Sequence, residues 1–490
     1  MQNSNIIHKQ IIDINSYQNV DGIALQKTSE DFCKFKLQPR LESLLDQYNW
    51  RDHYILIDEL LIEVNVGSEE FGETLLTGIL SQLETLLDKK IADTREDKPP
   101  VLYADRLVET LAFYLINGYL PWWVQVKNSD KWQKNLRNLF SETQSNANWS
   151  ILKTAIKTPI ARERLLAELT QWQVWRLIEL VSDFSGDEFG GIKEDIKRLT
   201  EIVPEPKEIG LFPGSVQNIL MLSIATQSQP ETITLMIIKN LYEELRKVFV
   251  SDYSLLKKVS LRSDLFQKVI KKLLSETFSE TRIKQEKLPI PKLPHRTASL
   301  NSTKSPVSGL VISANVDVRP SIIVDQDLVE IYIGNAGLCL LAPYLPGFFR
   351  NLSLIKDDKI LNLNKAVSLL NYMVDNSKKF ADFEVVLPKI FCGAGLDTVF
   401  QRFRLSAEDK KQCHHLLNAV ITNWGVLKNT SIEGLQQSFL QRDGKLSRRQ
   451  DNWLLSLEQK PYDMLLKQLP WSINMIRHTW MKEMFLVEWV

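Results

Sequence analysis

Cysteine is scarce in this sequence, which has four among 490 residues: Cys33, Cys339, Cys392 and Cys413. So few and so widely separated cysteines make a poor disulfide framework, which favours a reducing compartment. Long apolar runs are absent as well, since none approaches the ~18 residues that a membrane span needs. The opening residues, MQNSNIIHKQIIDIN, are too polar for a secretory signal. We therefore expect a soluble cytoplasmic protein without a membrane partner.

Net charge is also absent, because 60 lysines and arginines balance 60 aspartates and glutamates. Binding to nucleic acid or to anionic lipid depends on a surplus of basic charge, so we expect neither as the main partner. A neutral chain also lacks the self-repulsion that keeps proteins apart, which is compatible with residence in an assembly. At 490 residues the chain is too long for one compact core, and its length predicts two to four domains.

The hydrophobic pattern predicts a mainly α protein with smaller α+β parts. Residues 1–98 are predicted to form an α/β unit and residues 99–280 a central helical domain. Residues 281–322, rich in proline, serine and lysine, are predicted to be a linker, and residues 323–490 an α+β cap. The chain is therefore predicted to consist of three folded regions, with a linker between the second and the third.

The N-terminal region is predicted to have a strand, helix, strand order. Ile7–Ile14 and Ile55–Val66 read as strands, the second through alternation of apolar and polar residues. Between them, residues recur at helical spacing at Leu25, Thr28, Phe32 and Phe35. A further helix is expected over residues 69–92.

The central region has mainly helical periodicity. Leu107, Leu111 and Leu115 form a stripe that Gly118 can end with a left-handed cap. Further helices are predicted within residues 151–181 and 216–274, with a loop at 204–215 between them. The linker has no apolar periodicity and could span roughly 130 Å when extended. Its basic residues are either incidental to a solvated tether or contact an acidic partner.

The C-terminal region alternates helical and strand patterns. A helical stripe of Leu416, Val420, Trp424 and Leu427 is followed by Thr430 and Glu433 at capping-box spacing. The next helix is expected to bury Leu435 and Phe439 and to end at Gly444. Two strands are predicted from the alternating residues Trp453, Leu455, Leu457 and Phe485, Val487, Trp489.

Candidates for chemistry are weak. Cys413, His414 and His415 are adjacent, so on a helix they cannot all face one metal ion, and a buried cysteine beside surface histidines is the simpler interpretation. The glycine-rich FSGDEFGGIK of residues 184–193 lacks the spacing of a phosphate-binding loop and reads as an ordinary loop. Acidic pairs such as Asp357 with Asp358 lie in polar surroundings, without the apolar wall that acid–base catalysis by a carboxylate needs. We expect no enzyme activity, no metal, no cofactor and no small-molecule substrate.

Tryptophans at turns are the strongest candidates for a site. Pro121 precedes the pair Trp122 and Trp123, and Pro470 precedes Trp471. Together with Trp480 they are candidate interaction residues, because large aromatic residues dominate the energetics of interfaces. The competing interpretation is that these rings fill the cores of their own domains.

Six stretches of the chain, taken in order, resemble the tape measure protein family of contractile injection systems, the phage-tail-like particles that drive a rigid tube into a target. The resemblance is densest in the last third, at IYIGNAGLCLLAPYLPGFFRNLSLI, EVVLPKIFCG, LLNAVITNWGVLKNTSIEGLQQSFLQRDGKLS and LLKQLPWSINMIRHTWMKEMFLVEW. It extends more weakly to DRLVETLAFYLINGYLPWWV and to residues 6–67.

This resemblance implies a structural assembly protein that lies inside the inner tube of the particle, sets the length of tube and sheath, and has inner tube and baseplate proteins as partners. Because an α-helix rises about 1.5 Å per residue, contour length could set tube length. A second hypothesis is an assembly adaptor or chaperone that nucleates tube or baseplate formation, or holds cargo, without acting as a ruler. A compact central region would favour the adaptor and an elongated one the ruler.

Overall fold

The structure, a computed structural model, describes a large part of the chain. These residues are 7, 10–14, 21–48, 53–54, 57, 59–64, 72–97, 101–124, 129–141, 148–182, 186–202, 212–226, 230–248, 256, 260–272, 274, 329–376, 380–427 and 429–489. They form two compact units. Unit 1 comprises residues 1–151, 330–396 and 402–490, and unit 2 comprises residues 152–329 and 397–401. The predicted linker lies outside the described residues, and the predicted domain boundaries remain predictions.

The predicted fold class is confirmed, since helices dominate and the main sheet lies near the C terminus. The helices are α1 (Gly22–Phe32), α2 (Gln38–Leu45), α3 (Glu73–Asp97), α4 (Tyr103–Asn117), α5 (Ser129–Ser141), α6 (Ser150–Ala155), α7 (Pro159–Glu168), α8 (Gln171–Val181), α9 (Gly186–Glu201), α10 (Phe212–Thr226), α11 (Pro230–Val248), α12 (264–272), α13 (Leu345–Asn351), α14 (Leu363–Val374), α15 (Val386–Phe391), α16 (Ala407–Asn423) and α17 (Ile432–Leu435). None of the helices in the described residues is long and apolar enough to cross a membrane.

The strands are β1 (His53–Tyr54), β2 (Val101–Leu102), β3 (Glu330–Ile333), β4 (Ile355–Lys356), β5 (Lys359–Ile360), β6 (Gly444–Arg449), β7 (Asn452–Leu457), β8 (Met475–Ile476) and β9 (Phe485–Glu488). Short 3₁₀ or π segments connect several elements, at Cys33–Leu37, Asp46–Tyr48, Ala336–Tyr344, Asp382–Val385, Gly425–Leu427, Gln436–Leu440 and Pro461–Gln468.

The N-terminal helices of unit 1 pack through one small apolar cluster. Asp21 caps α1, its Oδ1 accepting from the Ile23 amide at 3.0 Å. Leucines one or two turns apart on α3 face the opposing helices, as periodicity requires. The buried members are Phe32, Leu37, Leu41, Leu76, Leu83, Leu87 and Ile91. The helices expected near residues 25–35 and 69–92 are therefore confirmed.

The two N-terminal strands predicted from sequence are wrong in the described residues. Residues 10–14 and 59–64 belong to neither a helix nor a strand, and the strand pairing found nearby is the two-residue pair of β1 with β2. A β pattern makes a strand when its backbone groups find a partner strand, and the pattern does not reveal whether that partner exists.

Two central helices, α4 and α5, also belong to unit 1. The stripe of Leu107, Leu111 and Leu115 is buried, as predicted. Gly118 has φ +81° and donates its amide to the Tyr114 carbonyl at 2.8 Å, which confirms the predicted helix end. Tyr114 on α4 and Trp132 on α5 pack edge to face against Phe383 at 5.7 and 6.3 Å. These rings join sequence-distant parts of the unit.

In the described residues, unit 2 contains most of α6, which begins at residue 150, and the helices α7 to α12. The segment FSGDEFGGIK is not a loop in its described part, because α9 begins at Gly186 and buries Phe189 and Ile192. Farther along α9, buried Asp195 accepts from the amides of Arg262 and Ser263, both at 2.7 Å. These bonds hold the chain just before α12, and Ser263 caps the helix itself, its Oγ accepting from the Phe266 amide at 3.3 Å. The predicted loop at 204–215 lies mostly outside the described residues, and its last residues already belong to α10.

The C-terminal part of unit 1 contains a five-stranded sheet with the order β3-β6-β7-β9-β8. Among the described strands of this sheet, β7 and β9 pair in parallel and the other neighbouring strands pair antiparallel. Alternate residues of β7 are buried, so Trp453, Leu455 and Leu457 form the predicted inward face. The prediction of strands at β7 and β9 is confirmed.

Two details of the C-terminal prediction are wrong. Ser431, one residue after Thr430, caps α17, its hydroxyl accepting from the Gly434 amide at 3.0 Å. The π segment ends at Leu440, and Gly444 begins β6 instead of ending a helix. Leu435 and Phe439 are buried, as expected.

Candidate interaction surface

One segment of the C-terminal region presents apolar side chains on a firmly held backbone. We call Pro461–Trp471, with the sequence PYDMLLKQLPW, the apolar segment. Met464 is 67% exposed and Tyr462 is 39% exposed, whereas Asp463 between them is buried. Large exposed apolar residues so close together are typical of interaction surfaces.

The buried Asp463 side chain attaches the apolar segment to the core of the domain. Its carboxylate forms a buried ion pair with Arg442, with the Arg442 Nη1 to Asp463 Oδ2 distance at 3.2 Å. Asp463 Oδ2 also accepts from the Lys460 amide at 2.8 Å and from Trp489 Nε1 at 3.2 Å. Burial alone raises the pKa of the Asp463 carboxyl, but these hydrogen bonds outweigh it and lower that pKa below its usual value. The segment is therefore tied to the core by a charged, fully bonded group.

Arg442 is enclosed by aromatic rings. Its guanidinium carbon lies 4.9 Å from the ring centre of Tyr462, 5.4 Å from that of Trp489 and 6.0 Å from that of Phe439. Arg442 also donates to the carbonyls of Ser438 and Glu458, both at 2.9 Å. Cation–π contacts and hydrogen bonds together offset the cost of burying the charge.

Trp471 ends the apolar segment and is half-buried. Its Nε1 donates to the Leu340 carbonyl at 3.2 Å, and its ring packs edge to face on Tyr344 at 5.2 Å. The Tyr344 hydroxyl accepts from Asn423 Nδ2 at 3.0 Å. The indole thus has contacts within the domain and is still partly exposed to solvent.

Trp480 lies at a second place, in the turn before β9. Its Nε1 donates to the Phe391 carbonyl at 2.8 Å, and its ring stacks on His478 at 4.7 Å between centroids. Gly393, with φ +74°, lies against Trp480, where a Cβ would be 2.3 Å from the Trp480 carbonyl oxygen. Burial lowers the pKa of the His478 imidazole to about 4.

Trp122 and Trp123 form a third group after α4. Their rings meet edge to face at 5.7 Å, and both are half-buried. Trp123 packs on Phe113 at 5.8 Å and lies 4.2 Å below the guanidinium of Arg106. The structure therefore does not bring the predicted tryptophans together: in each group the rings have partners within the domain. Their role in binding remains a prediction.

The residues considered for chemistry lie apart from one another. Cys413 is buried on α16, while His414 contacts the Tyr372 hydroxyl and His415 is exposed, which matches the simpler interpretation. Burial raises the pKa of the Cys413 thiol to about 12, so the thiol is protonated and a poor nucleophile. Asp357 and Asp358 form the tight turn between β4 and β5. In the part of the chain that the structure describes, no group of three metal-ligating side chains is found.

Two buried ion pairs were missed by sequence reasoning. Besides Arg442 with Asp463, Lys389 and Asp382 are completely buried, with Lys389 Nζ 2.9 Å from Asp382 Oδ1. Lys389 Nζ also lies 3.4 Å from the Leu396 carbonyl. Charged residues are mostly exposed, so the sequence gave no indication that these four side chains are buried. Pro461 with Asp463 two positions later is the local pattern of a helix start, which could have located the anchor of the apolar segment.

A comparison with protein families identifies one relationship. The model of a family described as contractile injection system tape measure protein matches residues 4–489. No curated protein and no solved structure matches the chain.

Proposed function

The chain belongs to the contractile injection system tape measure protein family, and on that premise we propose that it sets the length of the tube and sheath during assembly of such a particle. Membership supports a structural role in these systems and tube-associated partners. In the ruler hypothesis the protein lies inside the inner tube while tube and sheath polymerise. The family match over residues 4–489 is the observation that carries the proposal.

The adaptor hypothesis is supported by a different observation. The described residues form compact units with short helices, and α3, the longest of them, has 25 residues and spans about 37 Å. A ruler built from such parts must either lengthen by separating its helices or measure through a different segment. An adaptor that nucleates tube or baseplate formation needs no such change.

An insertion experiment separates the two functions. Eighteen helix-forming residues inserted within α11, between Glu243 and Glu244, add five turns and keep the helix phase. If the protein is a ruler, this insertion should lengthen the assembled particles by about 27 Å, measured on electron micrographs. As the matched control, the same eighteen residues inserted at the β6–β7 turn, between Gln450 and Asp451, enlarge a hairpin without lengthening the central path. Particles of unchanged length and normal yield for the α11 insertion would reject the ruler and favour the adaptor.

We further infer that the apolar segment contacts a tube or baseplate protein of the particle. Its exposed Met464 and half-buried Trp471, held by the Asp463 anchor, support this role. Met464→Asp should weaken the binding free energy for those proteins by ~2 kcal/mol or more. This loss would be seen as reduced co-purification, with an unchanged unfolding temperature. Lys411→Asp adds an acidic residue at an exposed position of α16 outside the segment, and it is the control that should leave binding unchanged.

Trp471→Ala tests the half-buried member of the segment with two readouts. A docking residue loses partner binding while the domain stays folded, whereas a core residue destabilises the domain by ~3 to 5 kcal/mol. A Trp471→Ala protein that is fully stable and binds normally would exclude both roles. Trp172, which is exposed on α8 of unit 2, provides a tryptophan-to-alanine control.

A further inference from the structure

Arg162 of unit 2 is a buried arginine that lacks an acidic partner. The residue lies in the first turn of α7 and is only 6% exposed. Its Nε donates to Asn218 Oδ1 on α10 at 2.9 Å. Its Nη1 donates to the carbonyls of Ile156 and Lys157 at 2.7 and 2.9 Å. All three acceptors are uncharged, and in the part of the chain that the structure describes no carboxylate pairs with this guanidinium.

The guanidinium of Arg162 keeps two of its donors unused. An arginine side chain has five N–H donors, and the three acceptors named above take one from Nε and two from Nη1. Both N–H groups of Nη2 therefore lack an acceptor within the described residues. Nη2 is not one of the fully buried polar atoms without a partner, so it reaches solvent. The guanidinium is thus held at two nitrogens and open at the third.

Burial makes the missing negative charge costly. Desolvation lowers the pKa of the Arg162 guanidinium, because its surroundings disfavour the charged form. An arginine nevertheless stays charged in proteins. The positive end of the α7 dipole lies at the same turn and adds to the cost. Buried charges in proteins are normally paired with an opposite charge, and the open Nη2 is the place where such a charge can approach Arg162.

We propose that Arg162 binds a carboxylate group of another protein, an aspartate or glutamate side chain that reaches Nη2. One buried positive charge is balanced by one negative charge, which a carboxylate carries. A phosphate group carries up to two negative charges and three acceptor oxygens, which two free donors do not satisfy. The three neutral hydrogen bonds hold the guanidinium in place before the ligand arrives, so little side-chain entropy is lost on binding.

The surroundings of Arg162 favour an acidic partner surface. Residues 148–164 contain one acidic residue, Glu163, against four basic ones: Lys153, Lys157, Arg162 and Arg164. Lys157 is exposed, and so is Ile160, by 36%. Positive charge attracts an acidic side chain during approach, and an apolar neighbour of that side chain can cover Ile160. The inference concerns a chemical group and a surface of unit 2, so it does not depend on the ruler or the adaptor function.

A blocked glutamate tests the site on the full-length chain. N-acetylglutamate α-amide offers the carboxylate, and N-acetylglutamine α-amide is a neutral probe of the same shape. At about ten times its dissociation constant, a ligand of the folded state shifts the unfolding equilibrium about elevenfold. We therefore expect the unfolding temperature to rise with the glutamate probe and to stay constant with the glutamine probe, both at one ionic strength.

Asn218→Asp supplies the missing charge from within the chain. The carboxylate would lie where the amide oxygen now accepts from Arg162 Nε at 2.9 Å. This variant should unfold at a higher temperature without any probe and should lose the response to the glutamate probe. Arg162→Met removes the positive charge and should lose the response as well. Arg176→Met is the matched control in unit 2, because Arg176 already pairs with Glu179 at 2.9 Å, and it should keep the response.

Each of three results would overturn the proposal. The first is a wild-type response to the glutamate probe no larger than that to the glutamine probe. The second is an undiminished response in Asn218→Asp or in a folded Arg162→Met protein. The third is a larger response to inorganic phosphate or to sodium acetate than to the glutamate probe, which would assign the open Nη2 to a different anion. If Arg162→Met does not fold, Asn218→Asp still decides, because it keeps the size of the side chain.

Discussion

The N-terminal helices and the C-terminal sheet region both bury apolar side chains, but they differ in what else holds them together. Around α1, α2 and α3 the described core is seven apolar residues, with no buried ion pair among the described residues of that cluster. The C-terminal region adds two buried ion pairs and aromatic rings around Arg442. In a purely apolar cluster, the stability lost with one side chain grows with the size of that side chain. A buried charge that loses its partner is strongly destabilising, because it stays buried without compensation.

The largest effect is therefore expected at the Asp463 anchor. Asp463→Ala leaves Arg442 buried and unpaired, so the C-terminal region should lose about 3 to 5 kcal/mol of unfolding free energy. Urea denaturation followed by tryptophan fluorescence measures this loss. Lys467→Ala, in the same segment but exposed, should change stability by less than about 0.5 kcal/mol.

A double replacement sharpens this prediction. Arg442→Met together with Asp463→Leu removes both charges and keeps apolar volume, and it should recover most of the stability lost by Asp463→Ala. A double variant as unstable as the single one would show that the hydrogen bonds to Lys460 and Trp489, not the unpaired charge, account for the loss.

A smaller effect is expected in the N-terminal cluster. Leu83→Ala removes a buried side chain of α3 and should cost about 2 to 3 kcal/mol, with faster amide exchange in α2 and α3. Leu86→Ala, half-buried on the same helix, should cost less. If Leu83→Ala accelerated exchange equally across the C-terminal sheet, the two regions would form one cooperative unit and the contrast between them would fail.

The sequence patterns correctly predicted those elements whose periodicity depends on residues close together in the chain. The Leu107, Leu111 and Leu115 stripe with Gly118, and the alternation from Trp453 to Leu457, correspond to α4 and β7. The glycines of FSGDEFGGIK suggested a loop, but burial of Phe189 and Ile192 outweighs the low helix propensity of glycine. Tertiary packing makes this segment helical, and a single sequence does not show which residues will pack against it.

The candidate site was predictable only as a set of residue types. Pro470 before Trp471 correctly marked a turn, but the Leu340 carbonyl and Tyr344 that hold its ring come from a segment 131 and 127 positions earlier in the chain. In the same way, nothing near Arg442 in sequence indicates Asp463 as its partner. Contacts of such long separation depend on the topology of the sheet, which alternation alone does not give.

The smallest effect is expected from His478, whose pKa in the folded protein is about 4 because burial disfavours its charged form. In the unfolded chain its pKa is about 6.5, so between these values the unfolded state binds more protons. Stability is therefore full above about pH 6.5 and falls as the pH drops towards 4, by about 1 kcal/mol once solvent access is taken into account. His478→Phe keeps the stacking on Trp480 and should remove this part of the pH dependence, whereas His415→Phe, at an exposed position, should leave it. An unchanged slope in the His478→Phe protein would mean that the carboxylates of the C-terminal region, with their ion pairs, account for all of its acid sensitivity.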